Sequence, residues 1–510
     1  MSGVPGEPEK FSIDEMMNRL KESASENPED GELVTRSDGS QAIRVRKRKR
    51  RSTQPHKEQM VRSRRVRIYQ VSAALLLLFI AGLAVSGALV YANSRPYREN
   101  LLRMISESTG ATADLYQFRM NPRAANANHL NLNWPPGQLL ESLTTQGIAA
   151  EVSPSSFLGK SFTGEEITVA ETTLTLQIPK LHSAQPATTG APIDSRIAFN
   201  RYRTAAFNLT LGPPEKPLIR LYKSEASLSS SSSVGLPQVR LYRGDLAING
   251  LPNFRVNRAL LEFRSQEIDL IGLRLLHPTD DRGALEFSGT FSPSKPDQLA
   301  NLSVKLDSFL LDGITGPQLG RLISGRIDSV SITKSNFFSF QPTETSTPIL
   351  DIAFGVAPTS SIQLQAFPFL FAISQLLEED EWFEKPVFES DATGIIHREM
   401  GILSFRNLNF VSKGRITIQG NLSMAADQSL SGAFQVGLAE NMIPKASPLR
   451  SMVGPTKDGF RWIELKIAGS ATSPTDNFRT LFDEAGAAKA PDSSETETTG
   501  SSFEELTRPK

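Results

Sequence analysis

Gly164-Glu-Glu-Ile-Thr-Val-Ala-Glu-Thr-Thr-Leu-Thr-Leu-Gln-Ile-Pro179 decides the fold class. Apolar residues fall on alternate positions, first at Ile167 and Val169, then at Leu174, Leu176 and Ile178. Side chains of a strand point to opposite faces in turn, so a period of two reads as β-strand with one apolar face. Similar patches recur at 206–211, 239–242, 259–263, 268–271, 285–287, 302–306, 349–354, 401–405, 416–418, 433–436 and 462–467. Each is short and is bounded by Gly, Pro, Asn, Asp or Ser, and with further patches at 246–248, 327–332, 395–396 and 408–410 the strands are spaced at roughly 10–15 residues. That spacing predicts a largely antiparallel β structure, not βαβ units. Two short helices interrupt the pattern. One spans 317–324 through Leu319, Leu322 and Ile323; the other spans 368–383, with Phe369, Leu370, Ile373, Leu376 and Leu377 on one stripe.

Ahead of the strands the chain changes character. Residues 68–94 carry no charge and are dominated by the run Ala73-Ala-Leu-Leu-Leu-Leu-Phe-Ile-Ala-Gly-Leu-Ala-Val-Ser-Gly-Ala-Leu-Val90. A helix rising about 1.5 Å per residue crosses a hydrocarbon core of roughly 30 Å in about 20 residues. Between Arg44 and Arg67 the only acid among many Lys and Arg is Glu58. Positive-inside bias therefore predicts a cytoplasmic N-terminus and sends the β region across the membrane. A cleaved signal peptide would have a shorter basic region, a shorter apolar run and an Ala-x-Ala site, so an uncleaved anchor is the better reading. Gly82, Ser86 and Gly87 would let anchor helices pack closely, although lone anchors carry such residues too.

The domain organisation that follows is a disordered basic arm at 1–67, a transmembrane helix at 68–94 and a juxtamembrane helix at 95–110. A β domain at 111–482 and a disordered acidic tail at 483–510 complete it. Within the arm, Ser12-Ile-Asp-Glu15 is a capping box, and Ile13, Met16, Met17 and Leu20 follow at helical spacing. That helix would dock on a cytoplasmic protein; a transient helix without a partner gives the same pattern. The net charge is zero and cysteine is absent, which removes thiol catalysis, thiolate metal sites and disulfides. No aromatic residue is interleaved through the basic block, so it reads as a topology signal beside anionic lipid, with no nucleic-acid partner.

Catalytic chemistry is not legible. Gly159-Lys160-Ser161 looks like part of a phosphate loop, but the glycine required five residues earlier is Pro154. The five histidines (His56, His129, His182, His277, His397) are scattered without metal-ligand spacing, and no Gly-x-Ser-x-Gly elbow occurs. Acids in the strands, such as Glu262, Asp269 and Glu286, alternate with buried positions as solvent-facing residues would. A carbohydrate-processing enzyme would need two facing carboxylates about 5–10 Å apart. The expectation is a protein that is not an enzyme and has no cofactor or metal. Asn208-Leu-Thr, Asn301-Leu-Ser and Asn421-Leu-Ser match the glycan acceptor pattern, which has meaning only in a eukaryotic secretory chain.

The order of features resembles AsmA-like proteins, a family anchored in the inner membrane with a periplasmic domain. An anchor precedes Tyr97-Arg-Glu-Asn-Leu-Leu-Arg-Met-Ile-Ser-Glu-Ser-Thr-Gly110 and the polar-apolar stretch 128–133. Gly147-Ile-Ala-Ala-Glu-Val-Ser-Pro-Ser-Ser-Phe-Leu-Gly159 then leads into the strand at 165–176. Near the other end, Leu403-Ser-Phe-Arg-Asn-Leu-Asn-Phe410, Gly414-Arg-Ile-Thr-Ile-Gln-Gly-Asn-Leu422 and Ser431-Gly-Ala-Phe-Gln-Val436 are similar to the family's strands. So is Ile463-Glu-Leu-Lys-Ile-Ala-Gly-Ser-Ala-Thr-Ser-Pro474 to its closing strand.

The resemblance implies an elongated, curled antiparallel sheet, an open β-groove whose apolar interior holds or guides phospholipid or another envelope lipid and supports outer-membrane biogenesis or maintenance. Lining candidates are Leu174, Leu176, Leu209, Leu211, Leu261, Phe263, Leu285, Phe287, Ile416 and Ile418. Some 25 strands at about 4.8 Å would stack to roughly 120 Å, so a bridge between two membranes would need oligomers or an envelope protein partner. The same alternation serves a sandwich with a dry core, because both need one binary pattern. The rival expectation is thus a membrane-tethered scaffold that binds proteins.

Overall fold

A computed structural model of the chain describes residues 14, 17–18, 32–44, 54–177, 196–229, 236–264, 267–292, 298–330, 336–341, 348–377 and 380–487. With 53% of the described residues in strands and 23% helical, it is mainly β. It forms two compact units, Met1–Ala84 and Val85–Lys510.

The first unit holds a hairpin of β1 (Glu32–Thr35) and β2 (Gln41–Arg44) and most of the long helix α1 (Gln54–Ala92). The arm expected to be disordered is therefore ordered in these two places. Turn chemistry explains the hairpin: Gly39 takes φ of 82°, and the Asp38 carboxylate accepts from the Ser40 N–H at 3.1 Å and its hydroxyl at 2.7 Å. Within α1, Val66–Ala92 is long and apolar enough to cross a membrane. Of the expected docking helix, Met17 is helical and exposed, while Ile13, Met16 and Leu20 lie outside the described residues.

The second unit is built on one sheet whose neighbours nearly follow chain order. It starts with β3 (Thr112–Tyr116) and β4 (Arg119–Met120), two halves of an edge strand lying along β5 (Ala124–Asn133). It continues through β6 (Leu140–Val152), β7 (Phe162–Leu176), β8 (Ile197–Leu211) and β9 (Ile219–Ser229). β10 (Gln238–Tyr242) and β11 (Asp245–Ile248) both lie between β9 and β12 (Phe254–Phe263). β13 (Ile268–His277), β14 (Asp280–Phe291) and β15 (Ala300–Asp307) follow, and after a kink the chain resumes as β16 (Phe309–Leu310). β17 (Ile323–Ser329) and β18 (Phe337–Phe340) connect these strands to β19 (Ile349–Val356). The short β20 (Ile362–Leu364) and β21 (Val387–Phe388) branch from β17. The last run comprises β22 (Asp391–Glu399), β23 (Ile402–Ser412), β24 (Ile416–Met424) and β25 (Leu430–Ala439). β26 (Thr456–Lys457), β27 (Phe460–Ser470) and β28 (Ser473–Asp476) end it, with β25 pairing to β27.

Among the described residues β3 pairs with β5 alone and β28 with β27 alone. The ladders close a circuit only locally, where β10 and β11 both join β9 to β12. Every ladder of this sheet is antiparallel except β7–β8, which is parallel over nearly its whole length, an exception the strand spacing did not foretell.

Several strands are bent by a residue of positive φ: Gln117 between β3 and β4, Gly147 in β6, Lys223 in β9, Ser308 between β15 and β16, and Asn407 in β23. A residue in this conformation leaves its N–H outside the ladder and sharpens the local twist. Neighbouring side chains take up those donors. Asn208 accepts from the Lys223 N–H at 2.9 Å, Asn421 from the Asn407 N–H at 2.8 Å, and Asp328 from Ser308. All three asparagines with glycan-acceptor spacing have a structural task, since Asn301 accepts from the Ser339 hydroxyl.

The helices of this unit are α2 (Arg95–Thr109), α3 (Asp312–Thr315), α4 (Pro317–Gly320), α5 (Pro368–Leu376), α6 (Leu449–Met452) and α7 (Phe478–Ala487). Both helices expected in the β region are shorter than their apolar stripes suggested. Ile323 belongs to β17, and α5 stops at Leu376, before a 3₁₀ turn at Glu381–Glu384 that the Asp380 side chain caps by accepting the Trp382 N–H at 3.1 Å. Phe369, Leu370 and Ile373 of α5 are wholly buried and fill the space beside β24 and β25, with Phe367 and Phe369 packed edge-on to Phe434. From β9 to α7 the apolar face is sealed into one core.

Candidate functional site

The other end of the second unit is packed differently. Its small core gathers Ala92 from the end of α1, Tyr97, Leu101 and Met104 from α2, and Met120, Ala125, Ala150 and Val152 from the sheet. α2 follows α1 after a break at Asn93-Ser94, with Pro in its first turn and Gly110 in the left-handed conformation closing it. Asn93 clamps the break to β4: its amide donates to the Met120 carbonyl and its oxygen accepts from the Met120 N–H, both at 2.8 Å.

Four contacts hold α2 over the sheet. The Tyr97 hydroxyl donates to the Ser156 carbonyl at 2.6 Å, and the Asn100 amide to the Gly159 carbonyl at 2.6 Å. Arg196 pairs with Glu107 at 2.8 Å, and the Trp134 indole donates to the Thr109 carbonyl at 2.9 Å. Gly159, which opens the false phosphate-loop pattern, caps a 3₁₀ turn and receives Asn100. An aromatic series runs from the anchor into the sheet: Tyr91, Tyr97, Phe118, Phe162 and Phe199, with successive ring centroids 5.6, 6.1, 6.5 and 5.4 Å apart. Burial pushes the Tyr97 phenol up to about 12, with Tyr91 adding to the effect.

Between α2 and strands β3–β8 lies a hollow of about 240 Å³. Leu101 and Ile105 form its roof, Phe118, Phe162 and Phe199 one wall, and Leu130, Leu132, Leu143, Ile148, Ile167 and Val169 its floor. Among the described residues no charged side chain lines it. The Tyr202 hydroxyl at its margin is hydrogen-bonded to Thr172, which also reaches Thr204 at 3.2 Å, and burial raises the Tyr202 phenol above its ordinary value.

The floor continues beyond the hollow. Strand register places Leu132, Leu143, Leu174, Leu209, Leu221, Leu246 and Phe254 opposite one another in succession, from β5 to β12. Beside it runs a second row, Leu140, Leu176, Leu211, Ile219 and Ile248. Directly paired residues project from the same face, so each row is a continuous apolar ridge across the strands. Leu143, Leu174 and Leu209 are half-buried, as are Leu140, Leu176 and Leu211. Farther on, Leu221 is 3%, Leu246 7% and Phe254 1% exposed, and the rows enter the closed core.

The ten residues read from the sequence as lining a groove therefore divide. Leu174, Leu176, Leu209 and Leu211 lie on the two rows, next to the hollow but not in its wall. Leu261 leans against the main core, and Phe263 is half-buried at the end of β12. Leu285, Phe287, Ile416 and Ile418 are at most 2% exposed inside the filled core, so they are corrected to fold-supporting positions. The residues of the hollow itself were missed. Leu101, Ile105, Ile167 and Val169 carried a visible pattern, but only register and the seating of α2 bring them to one place.

His397 lies between Asp351 at 3.1 Å and Glu399 at 3.3 Å. Among the described residues no three His, Cys, Asp or Glu form a group able to hold a metal. Compared with models of protein families, with curated proteins and with solved structures, the chain finds no match in any of the three.

Proposed function

We propose that this chain is a single-pass membrane protein that binds lipid hydrocarbon on the leucine rows of β5–β8 and in the hollow under α2, guiding envelope lipid in support of outer-membrane maintenance. The carrying observation is the uncharged apolar surface that runs from the end of the anchor, under α2, onto Leu174, Leu176, Leu209 and Leu211. The hydrophobic effect favours covering such a surface with hydrocarbon, by roughly 25 cal/mol per Å². Its place directly after α1 suits a ligand drawn from a bilayer. The basic flank supports an N-terminus in the cytoplasm and a sheet on the other side of the membrane, which this reading takes as the periplasm. The resemblance to AsmA-like proteins agrees with this reading.

Mass spectrometry of lipid extracted from the gently purified full chain is the test. Phospholipid or another lipid retained in fixed ratio is expected. A lipid-free protein that takes up none from vesicles would overturn the proposal.

A second reading, a tethered scaffold without a ligand, draws support from the sealed core around α5. It expects no retained lipid and the capture of a protein partner through exposed loops.

A further inference from the structure

The leucine rows end blindly, and this decides what kind of lipid fits them. Resting on the lipid reading above, we infer that the site takes one single-chain lipid, whose tail enters and leaves by the same end. Three observations carry this. The half-buried part of the first row, from Leu143 to Leu209, crosses three strands, and Leu132 under α2 adds a fourth, for roughly 14 Å at about 4.8 Å per step. Beyond it Leu221, Leu246 and Phe254 are closed over, and Phe309 is wholly buried against Phe254, so a tail has no way onward to α5. Across its width, the two rows stand two residues apart on β7, β8, β9 and β11, about 6.6 Å, and three apart on β6 at an irregularity in its register, which makes a furrow for one tail.

Volume agrees. An apolar cavity of about 150 Å³ takes a benzene molecule, so the hollow of about 240 Å³ has room for part of one tail and not for two joined at a glycerol. The absence of charged lining leaves the headgroup at the mouth. A two-chain phospholipid would keep its second tail in water. A single-chain amphiphile, such as a lysophospholipid, leaves much less apolar surface outside.

The experiment uses the full chain in nanodiscs with p-benzoylphenylalanine in place of Phe199 at the hollow, Phe207 near the row's far end, or Phe434 in the core. Radiolabelled palmitoyl-lysophosphatidylcholine and dipalmitoyl-phosphatidylcholine are the probes, in separate reactions. Labelling by the lysolipid at the Phe199 and Phe207 positions, none at the Phe434 position, and labelling by the two-chain lipid at least about tenfold weaker are expected; two unburied methylenes suffice for that factor. Native mass spectrometry of the unsubstituted chain should saturate at one lysolipid, a readout independent of how the Phe434 variant folds. Equal labelling by the two probes, equal labelling at the Phe434 position, or binding of several lipids per chain would each overturn the single-tail inference and leave the lipid reading standing. No labelling at any position by either probe would overturn both.

Discussion

Replacing Tyr97 with Phe tests whether α2 is a fixed lid. The ring would stay in its stack with Phe118 and against Tyr91, so the perturbation is confined to one hydroxyl. That hydroxyl donates at 2.6 Å to the carbonyl of Ser156, a residue with no exposed surface. A hydrogen bond of this kind contributes about 0.5–1.5 kcal/mol net, and a carbonyl left unpaired in a dry site raises the loss, so about 1–2 kcal/mol is expected at neutral pH. If α2 opens locally, amide exchange through its last turns should speed by about 5–30-fold, read by hydrogen–deuterium exchange of the full chain in detergent. The alkaline limb adds a second signature. Burial raises the folded phenol from its ordinary 10 to about 12, so the folded state keeps a proton that the unfolded state gives up. Stability is then fully present below pH 10 and declines as pH rises toward about 12. Tyr97→Phe removes that decline, and the gap between the two proteins should narrow in the same window. Unchanged exchange in α2 together with an unchanged alkaline profile would refute the assignment of Tyr97 as the latch.

Other expectations separate the row from the core. Ile418→Ala, at a position without exposure, should cost about 2–5 kcal/mol in urea unfolding and leave lipid retention per folded chain unchanged, whereas Leu174→Ser should reduce retention. Asp476 accepts from the backbone N–H groups of Phe369 and Phe478 at 2.7 and 3.0 Å, joining the starts of α5 and α7, yet burial raises its carboxyl above its ordinary value. A raised carboxyl makes stability fall as pH climbs from below the unfolded value through the folded one, and Asp476→Asn should flatten that slope on the alkaline side of the ordinary value of 3.8. Asn208→Ala should cost about 1–2 kcal/mol in the same unfolding assay by leaving the Lys223 N–H and Glu171 without their partner.

The strands and the apolar helix were legible because each is a local pattern. Alternation at Leu174–Leu176 and Leu209–Leu211 marked strands, and the helical spacing before Gly110 marked α2. The bends were mostly hidden, since Lys223, Ser308 and Gln117 carry no turn signal and depend on partners across the sheet. Asp38-Gly39 was a hairpin signal that the charged surroundings obscured. Filled and open interiors share one alternation, so Ile416 and Ile418 could be told from Leu174 only when α5 was seen inside the core. Register is the deepest omission: nothing in either segment says that Leu143 stands beside Leu174.

The parallel pair β7–β8 has a consequence for assembly. On either side of this seam the sheet grows mainly by local, antiparallel additions, but the seam itself pairs two parallel strands of 15 residues each, which no tight turn can join. Joining the two zones is therefore the step with the larger loop-closure cost. Leu174 and Leu209 face each other across that join, as do Leu176 and Leu211. A bound tail lying over them would act as a stitch between two halves that nucleate separately, and protein made without lipid would be most prone to part along this line.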